Sequence, residues 1–208
     1  MATIAVYAGH GGTDAGVSVL GRKEEDITLA VSNTATAILR SRGYTVVNNR
    51  TTNVERNIVQ DAITANNNRV NALISIHMNS NDGIPGSGSE AFISIRDNGR
   101  ARILASAILT RLEALGFPNR GVMTSVTATG QDSFGILRLT NMPAVILECA
   151  FMNNPEEMAH FDIESVATAI ADGVQEAVPN SQSSNKNGSA ALAIAMMTNI
   201  FSQMTARA

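Results

Sequence analysis

Short apolar runs alternate along this chain with longer segments whose apolar residues recur every three or four positions. "TIAVYA" (3–8) precedes a periodic segment from Glu24 to Arg42, and "YTVVNN" (44–49) precedes another from Val54 to Asn68. "ALISIH" (72–77) and "EAFISI" (90–95) follow. Runs of β-branched and aliphatic residues read as strands and the periodic segments as helices, so the rhythm is that of an α/β domain. In the first periodic segment Ile27, Ala30, Val31, Thr34, Ile38 and Leu39 share one face, and Gly43 stands where a helix would stop. A third helix is predicted from Gly99 to Leu115, on Ile103, Leu104, Ala107, Ile108 and Leu112, closed by Gly116 and Pro118. Residues 119–140 carry no clear period. "PAVILECA" (143–150) is almost wholly apolar, as expected of a central strand covered on both faces, and a last helix is predicted from Ile163 to Val178.

Beyond Val178 the chemistry changes. "PNSQSSNKNGS" (179–189) has the composition of a linker, and residues 190–208 place Leu192, Ala195, Met196, Ile200 and Met204 near one helical stripe. The pattern predicts one domain over 1–178, a linker over 179–189 and a C-terminal amphipathic helix over 190–208. That helix would either dock on its own domain or mediate self-association. No repeat is present.

Composition narrows the picture. With 208 residues, 44% of them hydrophobic, the chain can build one well-buried domain. The net charge of −3 and the absence of a basic face argue against a nucleic-acid partner. The single cysteine, Cys149, excludes an internal disulfide. No apolar run approaches the roughly 20 residues that span a bilayer, so a soluble chain with no transmembrane segment is expected. The first residues lack the pattern of a secretory signal, which leaves release by lysis, another export route or a trimmed chain.

The chemistry gathers at strand ends. His10 follows "TIAVYAG", His77 closes "ALISIH" and Glu148 falls late in "PAVILECA", each at or near the C-terminal end of a predicted strand, where open α/β sheets bind ligands. Glu24 or Glu25 opens the first helix close to the same edge, after the glycine-rich loop "GHGGTDAG". Two imidazoles and a carboxylate can therefore converge, with a second carboxylate nearby. Two histidines and one glutamate form a ligand set of catalytic zinc, which keeps one position for water, and a carboxylate outside the set would be the general base. Adjacent helical residues point about 100° apart, so only one of Glu24 and Glu25 can reach a metal. Glycines beside His10 admit positive φ and close backbone approach. His160 has no strand before it and reads as surface. Cys149 alternates with Glu148 and is expected to face the other side of the sheet as a small buried apolar residue. "GHGGTDAG" lacks the Gly-Lys-Ser/Thr of a phosphate loop, and "GSGSE" (86–90) lacks the glycine that completes a nucleophile elbow.

Taken in order, "AGHGGTDAG", "EEDITLA", Asn49-Arg50, "AN" ahead of "ALISIHMNS", "GSEAF" and "LECAFMNN" resemble the zinc-dependent N-acetylmuramoyl-L-alanine amidases over residues 3–178. The resemblance implies a mixed, mostly parallel sheet flanked by helices. It implies hydrolysis of the amide between N-acetylmuramic acid and the L-alanine of the peptidoglycan stem, at the bacterial cell wall. It also implies one Zn2+ per chain on His10, Glu24 and His77, with Glu148 as the catalytic glutamate. Asn79 and Asn154, just beyond two of the motifs, are candidates for substrate or outer hydrogen bonds, although asparagine after a strand is equally a turn former. The chain departs from the family pattern at Tyr7, Ala8 and Glu25 and keeps every proposed ligand. The alternative reading is a zinc peptidase or carboxypeptidase acting within the stem peptide.

Overall fold

The structure is a computed structural model and describes residues 1–180. The predicted C-terminal helix at 190–208 and most of the predicted linker lie outside the described residues. Six strands form the main sheet: β1 (Thr3–Ala8), β4 (Thr45–Val47), β5 (Ala72–Asn79), β6 (Ser89–Ile93), β7 (Asn119–Met123) and β8 (Ala144–Phe151). Their order across the sheet is β4-β1-β5-β8-β6-β7. The first four of that order run parallel, and β6 pairs antiparallel with β8 while β7 runs parallel to β6. The sheet is thus mixed and mostly parallel, as expected. A small hairpin of β2 (Ser18–Val19) and β3 (Arg22–Lys23) leads into the first helix.

Helices cover both faces, which is why the central strands are apolar without alternation. On one face α1 (Glu24–Ser41), α3 (Arg100–Ala114) and α6 (Ile163–Ala177) bury Val31, Leu39, Leu104, Ile108, Val166 and Ile170 against Ile4, Val6, Ile74, Ile76 and Leu147. On the other, α2 (Ile58–Asn67) and the short α4 (Gly135–Leu139) place Ala62, Ala65, Ile136 and Leu137 on Tyr7, Leu73 and Ile146. A sixth helix, α5 (Pro155–His160), caps the exit from β8.

Among the described residues the expected helices appear within a few residues of their predicted ends, with one informative exception. The second was expected from Val54 and begins at Ile58, because residues 53–57 are occupied otherwise. Asn53 Oδ1 and the Glu55 carboxylate accept N–H groups from the Gly12–Thr13 loop. Asn57 Oδ1 caps the helix by accepting the Gln60 N–H at 3.0 Å. Cys149 is buried on the face of α1, α3 and α6, opposite Glu148, as alternation predicts.

Candidate metal centre

β1 ends at Ala8, and Gly9 carries the chain across the sheet edge to His10, whose backbone takes a left-handed φ of 58°. That conformation is uncommon outside glycine and marks a strained position held by its surroundings. The loop that follows is closed on itself by Gly11 N to Asp14 O at 2.8 Å. It is tied to the 50s loop through Gly12 N to Asn53 Oδ1 at 2.8 Å, and through the Thr13 N–H and hydroxyl to Glu55 Oε2 at 2.8 and 2.9 Å. The His10 imidazole lies between two carboxylates, with Nδ1 2.9 Å from Asp14 Oδ2 and Nε2 3.1 Å from Glu24 Oε1.

Glu24 is the first residue of α1, and the structure brings it, rather than Glu25, to the histidines. Its Oε1 is also 3.1 Å from His77 Nδ1 and accepts the Met78 N–H at 3.0 Å, while Oε2 accepts the Val17 N–H at 3.0 Å. One ligand atom each from His10, Glu24 and His77 lies within 4.8 Å of the others, close enough to hold a metal ion. Glu25 turns toward Lys23 Nζ at 3.4 Å.

Charge follows from these contacts. Burial alone would raise the Glu24 carboxyl, but hydrogen bonds from His10 and His77, the charge on His77 and the Met78 N–H hold it well below the usual carboxylate range. Burial pulls His10 down, and the hydrogen bonds and charges of Glu24 and Asp14 overcome this and lift it to about 9. His77 is lowered, chiefly by burial; Glu24 opposes the shift, and the charges of His10 and Arg56 add to it.

Glu148 approaches from β8. It is the cross-strand partner of His77 on β5 and of Glu90 on β6, so Glu90, Glu148 and His77 form a row across three strands on one face. Glu90 is held by Arg120 Nε at 2.6 Å and Asn79 Nδ2 at 2.8 Å. Glu148 has no such support: its Oε2 is shut off from solvent without a hydrogen-bond partner among the described residues. Burial, then the charges of Glu24 and Glu90, push its carboxyl up to about 8, against an opposing effect of His10.

The other candidates fall into place individually. Asn79 reaches the row through Glu90, and its Oδ1 accepts the Ser80 N–H. Asn154 caps α5, its Oδ1 accepting from the N–H groups of Glu156 and Glu157 while its Nδ2 donates to Gly86 O at 2.9 Å. Asn154 therefore does what the turn-former reading describes. His160 is exposed at the end of α5 and stacks on Phe117 at 4.8 Å, far from the cluster in role. Sequence reasoning missed Asp14, Glu90 and Arg50. Arg50 is buried and fastens the site's scaffold, its Nη2 donating to Gly9 O at 2.9 Å and to Glu25 O at 2.7 Å. A signal for it existed in the Asn49-Arg50 pair.

Fold and site together define an α/β protein with a His–Glu–His cluster at the C-terminal edge of its sheet and an unsupported carboxylate beside it. The chain belongs to the Amidase_3 family, N-acetylmuramoyl-L-alanine amidase, which matches residues 4–180. It is similar to the endolysin of Bacillus phage SPP1, with 30% identity over 178 residues, covering 82% of this chain and 62% of that protein. It is also similar to the N-acetylmuramoyl-L-alanine amidase LytC of Bacillus subtilis (strain 168), at 27% identity over 82% of this chain and 34% of that protein. The chain thus spans less than two thirds of either relative's length. Among solved structures, Cwp6 from Clostridium difficile superposes with a TM-score of 0.81 at 32% identity, covering 85% of this chain and 29% of that one. The catalytic domain of CwlV, the N-acetylmuramoyl-L-alanine amidase of Bacillus (Paenibacillus) polymyxa var. colistinus, gives 0.74 at 28% identity, covering 85% of this chain and 97% of that one.

Proposed function

We propose that this chain hydrolyses peptidoglycan at the bacterial cell wall, cleaving the amide between the lactyl group of N-acetylmuramic acid and the L-alanine of the stem. The observation that carries this reading is the juxtaposition of a His–Glu–His donor set with a carboxylate whose buried Oε2 has no partner. The donor set fits zinc. Donors bound to one zinc at about 2.0–2.2 Å lie roughly 3–4 Å apart, and Glu24 Oε1 is already 3.1 Å from both His10 Nε2 and His77 Nδ1. His10 Nδ1–H given to Asp14 leaves the Nε2 lone pair for the ion. His10, Glu24 and His77 would hold one zinc, which when bound lowers the pKa of a water to about 7 and polarises a carbonyl.

Glu148 does the proton work. An attacking water gives its proton to Glu148 Oε2 as its oxygen bonds to the amide carbon. The C–N bond then breaks, and Glu148 returns the proton to the nitrogen of L-alanine, regenerating the carboxylate. An Oε2 with no hydrogen-bond partner among the described residues is free to take that proton and to give it back.

Glu148→Gln tests the assignment, because it removes the proton acceptor and nearly preserves volume. Zinc is expected to stay bound while turnover falls by about 10²–10⁴-fold. Retained zinc with near wild-type turnover eliminates Glu148 as the base, and loss of zinc makes it a ligand. Products separate this reading from a peptidase acting inside the stem: an amidase releases stem peptides with a free L-alanine amine.

A further inference from the structure

A cavity of about 250 Å3 opens beside the cluster and runs from His10 and His77 past Ile58, Phe134 and Ile146 to Arg56. It lies below the usual size of small-molecule clefts, so it takes a segment of a larger substrate. Two acidic side chains on its lining are committed elsewhere. Asp14 serves His10 and the Gly16 N–H, and Glu55 serves Thr13.

Arg56 is differently placed. Its Nε and Nη2 both donate to one oxygen, Asp61 Oδ2, at 3.1 and 2.8 Å, which fixes the plane of the guanidinium. Its side chain is only 12% exposed, and Nη1 has no hydrogen-bond partner among the described residues. A guanidinium carries five N–H donors in a rigid fork, so with Nε and one N–H of Nη2 spent on Asp61 the Nη1 end stays available to a group that enters the cavity. The matching chemistry is a carboxylate, which takes that fork through short charge-assisted bonds.

On the amidase reading, which this inference assumes, the substrate offers such a group on one side only. On the glycan side of the scissile bond the lactyl carboxyl is consumed in the amide, and the sugar presents neutral hydroxyl and acetamido groups. On the peptide side L-alanine is followed by an acidic residue with a free α-carboxylate, or a carboxamide where that group is amidated. We infer that Arg56 receives this carboxylate, that the apolar stretch between it and His77 takes the alanine, and that Arg56 therefore selects acidic over amidated stems.

The test uses two soluble muramoyl peptides, identical except that the residue after L-alanine bears an α-carboxylate or an α-carboxamide. The wild-type chain is expected to cleave the carboxylate form roughly 10- to 100-fold more efficiently in kcat/KM, mostly through KM, the range for one charged hydrogen bond. In Arg56→Gln/Asp61→Asn, which removes both partners and strands no charge, that preference is expected to collapse to within about 3-fold. Equal cleavage of the two peptides by the wild type, or a preference surviving in the double variant, overturns the role of Arg56. Should the double variant not fold, Arg56→Lys keeps the charge without the fork and is expected to lose most of the preference; full retention overturns the proposal. If the wild type frees no L-alanine amine from either peptide or from intact walls, it is the amidase reading that fails.

Discussion

Gly9 stands where β1 hands the chain to His10, and a methyl group on its Cα would meet the site head-on. It would lie 2.6 Å from His77 Cε1, 2.7 Å from His77 Nδ1 and 2.7 Å from the Ile76 carbonyl oxygen. That carbonyl cannot retreat, because it accepts the Gly9 N–H at 2.8 Å and belongs to a strand held between β1 and β8. The imidazole must give way. Restoring an ordinary 3.4 Å contact from 2.6 Å displaces by about 0.8 Å a ring whose Nδ1 is now 3.1 Å from Glu24 Oε1. Overpacking of this kind costs about 1–3 kcal/mol, or about 2–12 °C in Tm for a domain of this size. Misplacing a catalytic group by about 1 Å costs about 10²-fold in rate. Gly9→Ala is therefore expected to fold, melt several degrees lower, lose zinc to a chelator more readily and turn over about 100-fold more slowly. Melting, zinc content after dialysis and release of L-alanine amines can be measured on one preparation. Unchanged melting together with wild-type zinc retention and turnover would refute the argument that this backbone must pass against His77.

Three further outcomes are expected. Asp14→Asn weakens the hold on His10 Nδ1 and should cost about 10- to 100-fold in zinc affinity, read by chelator competition; an unchanged affinity would show that Asp14 does not orient the ring. In the chelator-treated chain the Glu148 carboxyl sits at about 8 against an ordinary 4.5, so the folded state keeps a proton that the unfolded chain has lost, and stability falls as pH rises from about 4.5 to 8. Glu148→Gln removes that slope and should melt higher than its parent at pH 8 but alike near pH 4.5, and parallel melting curves across the range would count against the buried proton. Cys149 is buried, and burial raises its thiol far above the ordinary range, so an aromatic disulfide reagent should label it only after denaturation; rapid labelling of the native chain would contradict this.

How far the sequence spoke depended on what kind of physics each element uses. β1, β5 and β8 are buried on both faces, and their composition declares it. β7 lies at the sheet edge with Asn119 and Arg120 exposed, so it has no apolar run to read. Helix α4 has five residues, too few to show a 3.6-residue period. Helix α5 is as inconspicuous by period, although Asn154, Pro155 and Glu156 spell a helix start in cap, first position and first turn. The early prediction of α2 erred because Val54 stands four residues before Ile58 and extends the apolar period, while Asn53 and Glu55 beside it are spent on the Gly12–Thr13 loop.

For the site, strand ends were enough to gather His10, His77 and Glu148, but register was needed for the rest. Nothing in "GSGSE" shows that Glu90 lies opposite Glu148 on the neighbouring strand. Two carboxylates directly opposed repel, and the fold answers on one side only, giving Glu90 an arginine and an asparagine and leaving Glu148 Oε2 with nothing. That asymmetry sets the two carboxylates apart. A carboxylate kept from water and from donors, against the charges of Glu24 and Glu90, as Glu148 is, takes a proton readily. Sequence singles out Glu148 and passes over Glu90; the unequal distribution of their hydrogen bonds is what distinguishes the two carboxylates in the structure.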